Sequence, residues 1–128
     1  MLFRSCAALG LQAQTVHMRA EDAGRDSALR EQADAVCARA VARLAALCEY
    51  CLPLTRVGGR MIALKGPEWE EELREAARAV SLLGGGEPVA HPFTLPDGSR
   101  RTVLVIPKVA PTPAAYPRRG TKIAKNPL

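Results

Sequence analysis

The sequence predicts an open α/β sheet, and three features carry that prediction. Residues 60–64 form a short apolar run, bounded by Gly58-Gly59 before it and Lys65-Gly66-Pro67 after it. That is how a fully buried strand of a parallel sheet reads. Helix-period sequence flanks it at residues 41–52 and 68–83, giving the helix–strand–helix unit of an open sheet, with this strand at its middle. Asp97-Gly98 then separates two further apolar runs, a strong signal for an antiparallel hairpin.

Taken in order, residues 2–9 read as a helix stopped by Gly10. Residues 14–18, QTVHM, form a strand candidate, and His17 within it reads as a packed or half-exposed residue rather than a ligand. Arg19-Ala20-Glu21-Asp22 follows at the carboxyl end of that strand, where the ligand crevice of an open parallel sheet lies. Acids in that place also suit the start of a short helix. Residues 24–32 are polar and read as a loose helical connection. Residues 33–38 give a second apolar strand, with Arg39 at its carboxyl end. Val41, Leu44, Ala45, Cys48 and Leu52 then make a helical stripe that Pro53 ends.

After the central strand, Pro67 occupies a first helical position. Glu68, Glu70, Glu71 and Glu72 crowd the first turn, which reads as a solvated helix start rather than a catalytic carboxylate pair. Trp69, Leu73, Ala76, Ala77, Val80 and Leu83 make the buried stripe, and Gly84-Gly85-Gly86 ends it. The hairpin strands are residues 89–95 and 102–106. Pro92 sends the first to the sheet edge, and TVLVI is apolar enough to lie inside it.

Charge divides the chain. Up to Asp97 there are 11 Lys/Arg against 13 Asp/Glu, whereas Gly98 onward carries seven bases and no acid. A near-neutral body with a basic end suits a polyanionic partner, nucleic acid above all, or a solubilising tail. The expected division is a domain over residues 1–108 and a basic, Pro-rich tail over 109–128 that packs no core and extends as an arm. No run of eighteen apolar residues is present, and the start does not read as a signal peptide, so the expectation is a cytoplasmic protein without a membrane span. Cys48-Glu-Tyr-Cys51 falls within a helical pattern and has no second ligand pair. Redox or zinc chemistry is therefore ranked last, and both thiols are expected to face the sheet as small apolar groups.

Several words of the sequence carry a family resemblance. They are RAED at Arg19, ADAVCARAVA at Ala33, EYCLPL at Glu49, GGRMIALKG at Gly58, and PTPAAYPRRGTKIAKNPL at Pro111. Over nearly the whole chain they resemble the ribosomal RNA small subunit methyltransferase G family, also called glucose-inhibited division protein B. The fold implied is a partial class I S-adenosylmethionine-dependent methyltransferase sheet, Rossmann-like, ending in the hairpin and tail. The activity implied is transfer of a methyl group from S-adenosyl-L-methionine to the 7-position nitrogen of a guanine in 16S ribosomal RNA, the RNA of the small subunit. Carried over residue by residue, Ala20 and Glu21 match the family's cofactor-contacting pair, near the adenine, and Arg39 matches its cofactor-contacting arginine.

Guanine's 7-position nitrogen already has a free lone pair, so alignment with the methyl group matters more than a general base, and no catalytic base is named. Lys65, at the end of the central strand, suits an RNA phosphate, the cofactor carboxylate, or simply a solvated strand end. Arg118, Arg119, Lys122 and Lys125 are candidates to track the RNA backbone, with Tyr116 available to stack on a base. No metal is implied, and the sequence carries no signal for an oligomeric state. The family's Gly-rich cofactor loop and ribose-holding acid find no counterpart here, so the chain is expected to bind the cofactor weakly or not at all. A non-catalytic RNA-binding or interaction fragment, using the hairpin and basic tail, is the competing reading.

Overall fold

The computed structural model describes residues 2–39 and 42–128. Five helices are placed among them: α1 (Leu2–Ala8), α2 (Ala20–Ala23), α3 (Leu44–Cys51), α4 (Trp69–Leu82) and α5 (Gly120–Lys125). The strands are β1 (Ala33–Arg39), β2 (Thr55–Lys65), β3 (Val89–Thr94) and β4 (Arg100–Pro107). They form one sheet in the order β1-β2-β4-β3, with β1 parallel to β2 and the β3–β4 hairpin antiparallel. β2 is interior as expected, and the later hairpin strand lies inside the earlier one. Pro92 sits in the edge strand β3, where its missing N–H costs no ladder bond on the solvent side.

Alternation along β2 and β4 sends Met61, Ala63, Leu104 and Ile106 to one face, all fully buried. α3 and α4 cover that face with Leu44, Leu47, Cys48 and Leu52 from the first helix and its 3-10 extension, and Ala76, Ala79, Val80 and Leu83 from the second. Ile62, Leu64, Val103 and Val105 point to the other face and are half-buried. The helical stripe expected from Val41 begins outside the described residues at that position. Its described part shortens to α3, followed by a 3-10 turn at Leu52–Leu54 that Pro53 enters without losing a helical donor.

Three expectations are corrected. Gly58-Gly59 is not a turn ahead of the central strand but a bulge within it. Between the pairs Ala33↔Thr55 and Ala35↔Arg60, β1 advances two residues while β2 advances five. Gly58 has φ +88°, and a Cβ on Gly59 would stand 2.5 Å from the Asp34 carbonyl oxygen, so neither position accepts a side chain without strain. Residues 14–18 form no strand. The described ladder of β1 is with β2 alone, and Val16 and Met18 remain exposed beside β1 rather than joining it.

The third correction concerns the end of the chain. Residues 109–128 are not a free arm. Thr112 is buried and donates its hydroxyl to the Leu83 carbonyl at 2.7 Å, Pro117 is buried, and Ile123 of α5 is fully buried. Cations hold this segment in place. Arg30 donates to four backbone carbonyls, those of Gly24 (2.9 Å), Tyr116 (2.8 Å), Thr112 (2.9 Å) and Pro113 (3.2 Å). Lys108 is enclosed, its ammonium donating to the carbonyls of Leu52 (2.6 Å) and Thr55 (2.9 Å). A Pro-rich stretch builds no regular ladder of its own, so its carbonyls are satisfied by side chains from the body.

Candidate functional site

α2 begins after extended Arg19, and its first turn holds Glu21 and Asp22. The acids therefore open a short helix, and they do so at the rim of two neighbouring hollows. One, of about 690 Å³, is lined by Ala20, Glu21, Val36, Ala38, Leu47 and Tyr50, with Ala124 and Pro127 from the end of the chain closing one side. Its walls are mostly apolar, with the Glu21 carboxylate as an acceptor at the edge. Such a slot suits the faces of an aromatic ring whose amino group needs an acceptor. Tyr50 lies within reach of the same charge, and its hydroxyl is pushed up first by burial, then by Glu21 and Glu49.

Glu21 is itself buried. A Cβ at Gly120 would overlap its carboxylate, so a side chain at the first residue of α5 would push Glu21 from its present position. α5 is fixed from the other side by Arg118. Its Nε and Nη2 donate to Glu49 Oε1 (2.9 Å) and Oε2 (2.8 Å), and its backbone N–H donates to Oε1 (2.8 Å). Glu49 is fully enclosed in α3, so this is an internal pair with both carboxylate oxygens satisfied.

The predicted site residues thus separate. Ala20 and Glu21 share one hollow. Arg39 lies elsewhere, because its register partner on β2 is Leu64, on the sheet face away from α3. It lines a second hollow with Leu64, Lys65, Gly66, Glu72, Phe93, Leu95 and Arg101. Lys65 does not present its charge to a ligand. It is buried and donates to the Ala42 carbonyl (2.7 Å) and to Glu72 Oε1 (3.0 Å). Glu72 in turn is not the solvated helix-start acid expected of it.

Arg118 is likewise engaged inward. The Tyr116 ring packs against the core cluster, so it is not a free stacking platform. Arg119, Lys122 and Lys125 are exposed on and around α5. Glu49, Arg30 and Lys108 escaped sequence reasoning, because nothing local distinguishes a charge that a distant segment will bury.

Cys48 and Cys51 are buried in α3 against the sheet, as their spacing implied, and both thiols are free. Burial pushes Cys48 far up and Cys51 up to about 12, which holds them as protonated, inert groups. Among the described residues no His/Cys/Asp/Glu group could hold a metal ion, and no helix is long and apolar enough to cross a membrane.

The sequence pattern of the GidB family, rRNA small subunit methyltransferase G, matches residues 2–98. The chain is 50% identical over 122 residues to the Ribosomal RNA small subunit methyltransferase G of Lactobacillus johnsonii, covering 94% of this chain and 51% of that protein. It is 54% identical over 116 residues to that of Symbiobacterium thermophilum, covering 90% and 47%. For the Roseiflexus sp. protein of the same name the identity is 52% over 110 residues, covering 86% and 47%. The chain therefore spans about half the length of these relatives. Among solved structures, a 16S rRNA methyltransferase of T. thermophilus, in complex with AdoMet and guanosine, superposes with a TM-score of 0.52 at 23% identity. It covers 87% of this chain and 28% of that one, a likeness of fold that agrees with a partial Rossmann-like methyltransferase sheet. On these matches, the chain belongs to the rRNA small subunit methyltransferase G family.

Proposed function

We propose that this chain serves methyl transfer from S-adenosylmethionine to the 7-position nitrogen of a guanine in 16S ribosomal RNA, in the cytoplasm. The observation that carries the reading is the apolar hollow with Glu21 at its rim, in a chain of this family. Ala20 and Glu21 fit the adenine end of the cofactor: the backbone and the apolar walls take the ring, and the carboxylate accepts from its amino group. Arg39 fits only a part of the ligand that reaches round the end of β1 to the second hollow.

When bound, S-adenosylmethionine supplies an electrophilic methyl group. The chain's own residues supply position. Glu21 is buried, with Arg19 3.9 Å from its carboxylate, and the guanine nitrogen needs no base to become nucleophilic. Arg119, Lys122 and Lys125 give the RNA backbone its cationic contacts, and Arg118 is held to be structural. Chain 1–108 carries the cofactor side, and 109–128 joins it as a packed segment rather than a separate unit.

Titration with S-adenosylhomocysteine, followed by amide chemical shifts, tests the cofactor half. Weak binding, in the millimolar range, with shifts at Ala20, Glu21, Ala38 and Tyr50 is expected, and Glu21→Ala should abolish them. Shifts confined to other surfaces, or none at saturating ligand, would remove the reading. Micromolar affinity by calorimetry would overturn the expectation of weak binding alone.

A further inference from the structure

The other hollow at α2, separate from the one lined by Arg39, has a different chemistry from the ring slot. It measures about 640 Å³ and is lined by Arg19, Arg25, Arg118, Arg119, Gly120 and Thr121, with Glu21 and Asp22. The charges in it are not equally free. Arg118 is locked to Glu49, and Glu21 is buried under Gly120. Arg25 gives one bond, from Nη2 to the Ala115 carbonyl at 3.2 Å, and keeps its other donors. Arg19 stands 79% exposed, 3.9 Å from Glu21 and with no hydrogen bond to it. Arg119 makes no side-chain bond or ion pair among the described residues.

Three guanidiniums with unused donors therefore converge on one concavity, joined by the exposed carboxylate of Asp22. Guanidinium forks match phosphate oxygens, whereas a carboxylate repels them and accepts instead from a base N–H or a ribose hydroxyl. A mixed lining of this kind fits a phosphorylated nucleotide better than a bare anion. Arg19 and Glu21 line both hollows, so whatever sits here lies beside the ring slot.

We propose that this hollow grips a backbone phosphate of the RNA strand through Arg19, Arg25 and Arg119, and so sets the strand against the neighbouring slot. The proposal rests on the reading that the substrate is RNA. It replaces Arg118 and Lys65 as phosphate contacts with Arg19 and Arg25, neither of which the sequence put forward as an RNA contact.

The test is fluorescence anisotropy of a labelled single-stranded oligoribonucleotide with the full 128-residue chain over a range of salt concentrations. The variants are R19Q/R119Q, whose side chains make no internal hydrogen bond, and R74Q/R78Q, a matched loss of charge on the exposed side of α4. Thermal melting by circular dichroism checks that both remain folded. Each lost phosphate contact should reduce the log–log salt slope by about 0.7, which is roughly fivefold in affinity at about 0.1 M salt. R19Q/R119Q should lose two such steps, and R74Q/R78Q should lose neither. Equal losses in the two variants, or unchanged binding by R19Q/R119Q, overturn the site while leaving RNA as the substrate. Absence of RNA binding by the unaltered chain overturns both.

Discussion

Glu72, in the first turn of α4, accepts the backbone N–H of Leu44 at 3.0 Å and so caps the first residue of α3 from 28 positions away. The same oxygen takes the Lys65 ammonium, so one buried carboxylate ties the end of β2 to the starts of both covering helices. An acid that local pattern assigns to solvent is a junction between three elements.

Glu72→Ala should therefore cost about 3–5 kcal/mol, because it leaves an enclosed ammonium and an orphaned helix N–H. Glu72→Gln keeps an acceptor and should cost less. Urea denaturation at neutral pH measures both, and a loss below about 1 kcal/mol for the alanine variant would contradict the role.

The Glu49–Arg118 pair makes a parallel prediction with an internal control. Either single alanine substitution strands a buried partner and should destabilise by about 3–5 kcal/mol. The double variant Glu49→Leu/Arg118→Met removes both charges and should be more stable than either single variant. Non-additivity of this sign, in a double-mutant cycle closed with the single variants Glu49→Leu and Arg118→Met, is the expected readout.

Lys108 gives a pH signature. Burial holds its ammonium below the ordinary lysine value, with Glu31 opposing the shift in part. An unfolded lysine titrates near about 10.4, so between the folded and unfolded values the unfolded chain binds more protons. Stability should then rise with pH through the folded value and level off above the unfolded one. Lys108→Met should remove that rise, which denaturation across alkaline pH will show.

Thiol accessibility checks the packing of α3. Maleimide at mildly alkaline pH should modify exposed Cys37 in the native chain and leave Cys48 and Cys51 untouched until the chain is unfolded. Peptide mass mapping reads the outcome, and rapid labelling of Cys51 would contradict its burial.

The strands that read as short apolar runs at residues 33–38, 60–64 and 102–106 were legible, and so was the hairpin, because Asp97-Gly98 fixes its turn locally and Gly98 takes φ +85°. The stripe of α4 was legible for the same reason. What escaped was decided at long range. Arg30 and Tyr116 are separated by 86 positions, and Glu49 and Arg118 by 69. No window of sequence shows that such charges will meet. Residues 14–18 erred in the opposite direction: they have strand composition, but a strand needs a partner's ladder and β1 offers its described ladder to β2. At the candidate site, the position of Ala20 and Glu21 at a helix start could be read, whereas the parity that turns Arg39 to the other sheet face depends on register with Leu64.

Arg30 holds the peptide oxygens of Gly24, Thr112, Pro113 and Tyr116 with two nitrogens of one planar fork. A lysine carries three donors on a single atom and cannot span them. An arginine-to-lysine drift that most surfaces ignore would here let the final residues peel away and unplug Ile123 from beneath them. Removing the stretch from Pro111 to Lys125 should be correspondingly damaging, since that stretch carries Thr112 and Ile123 into the interior.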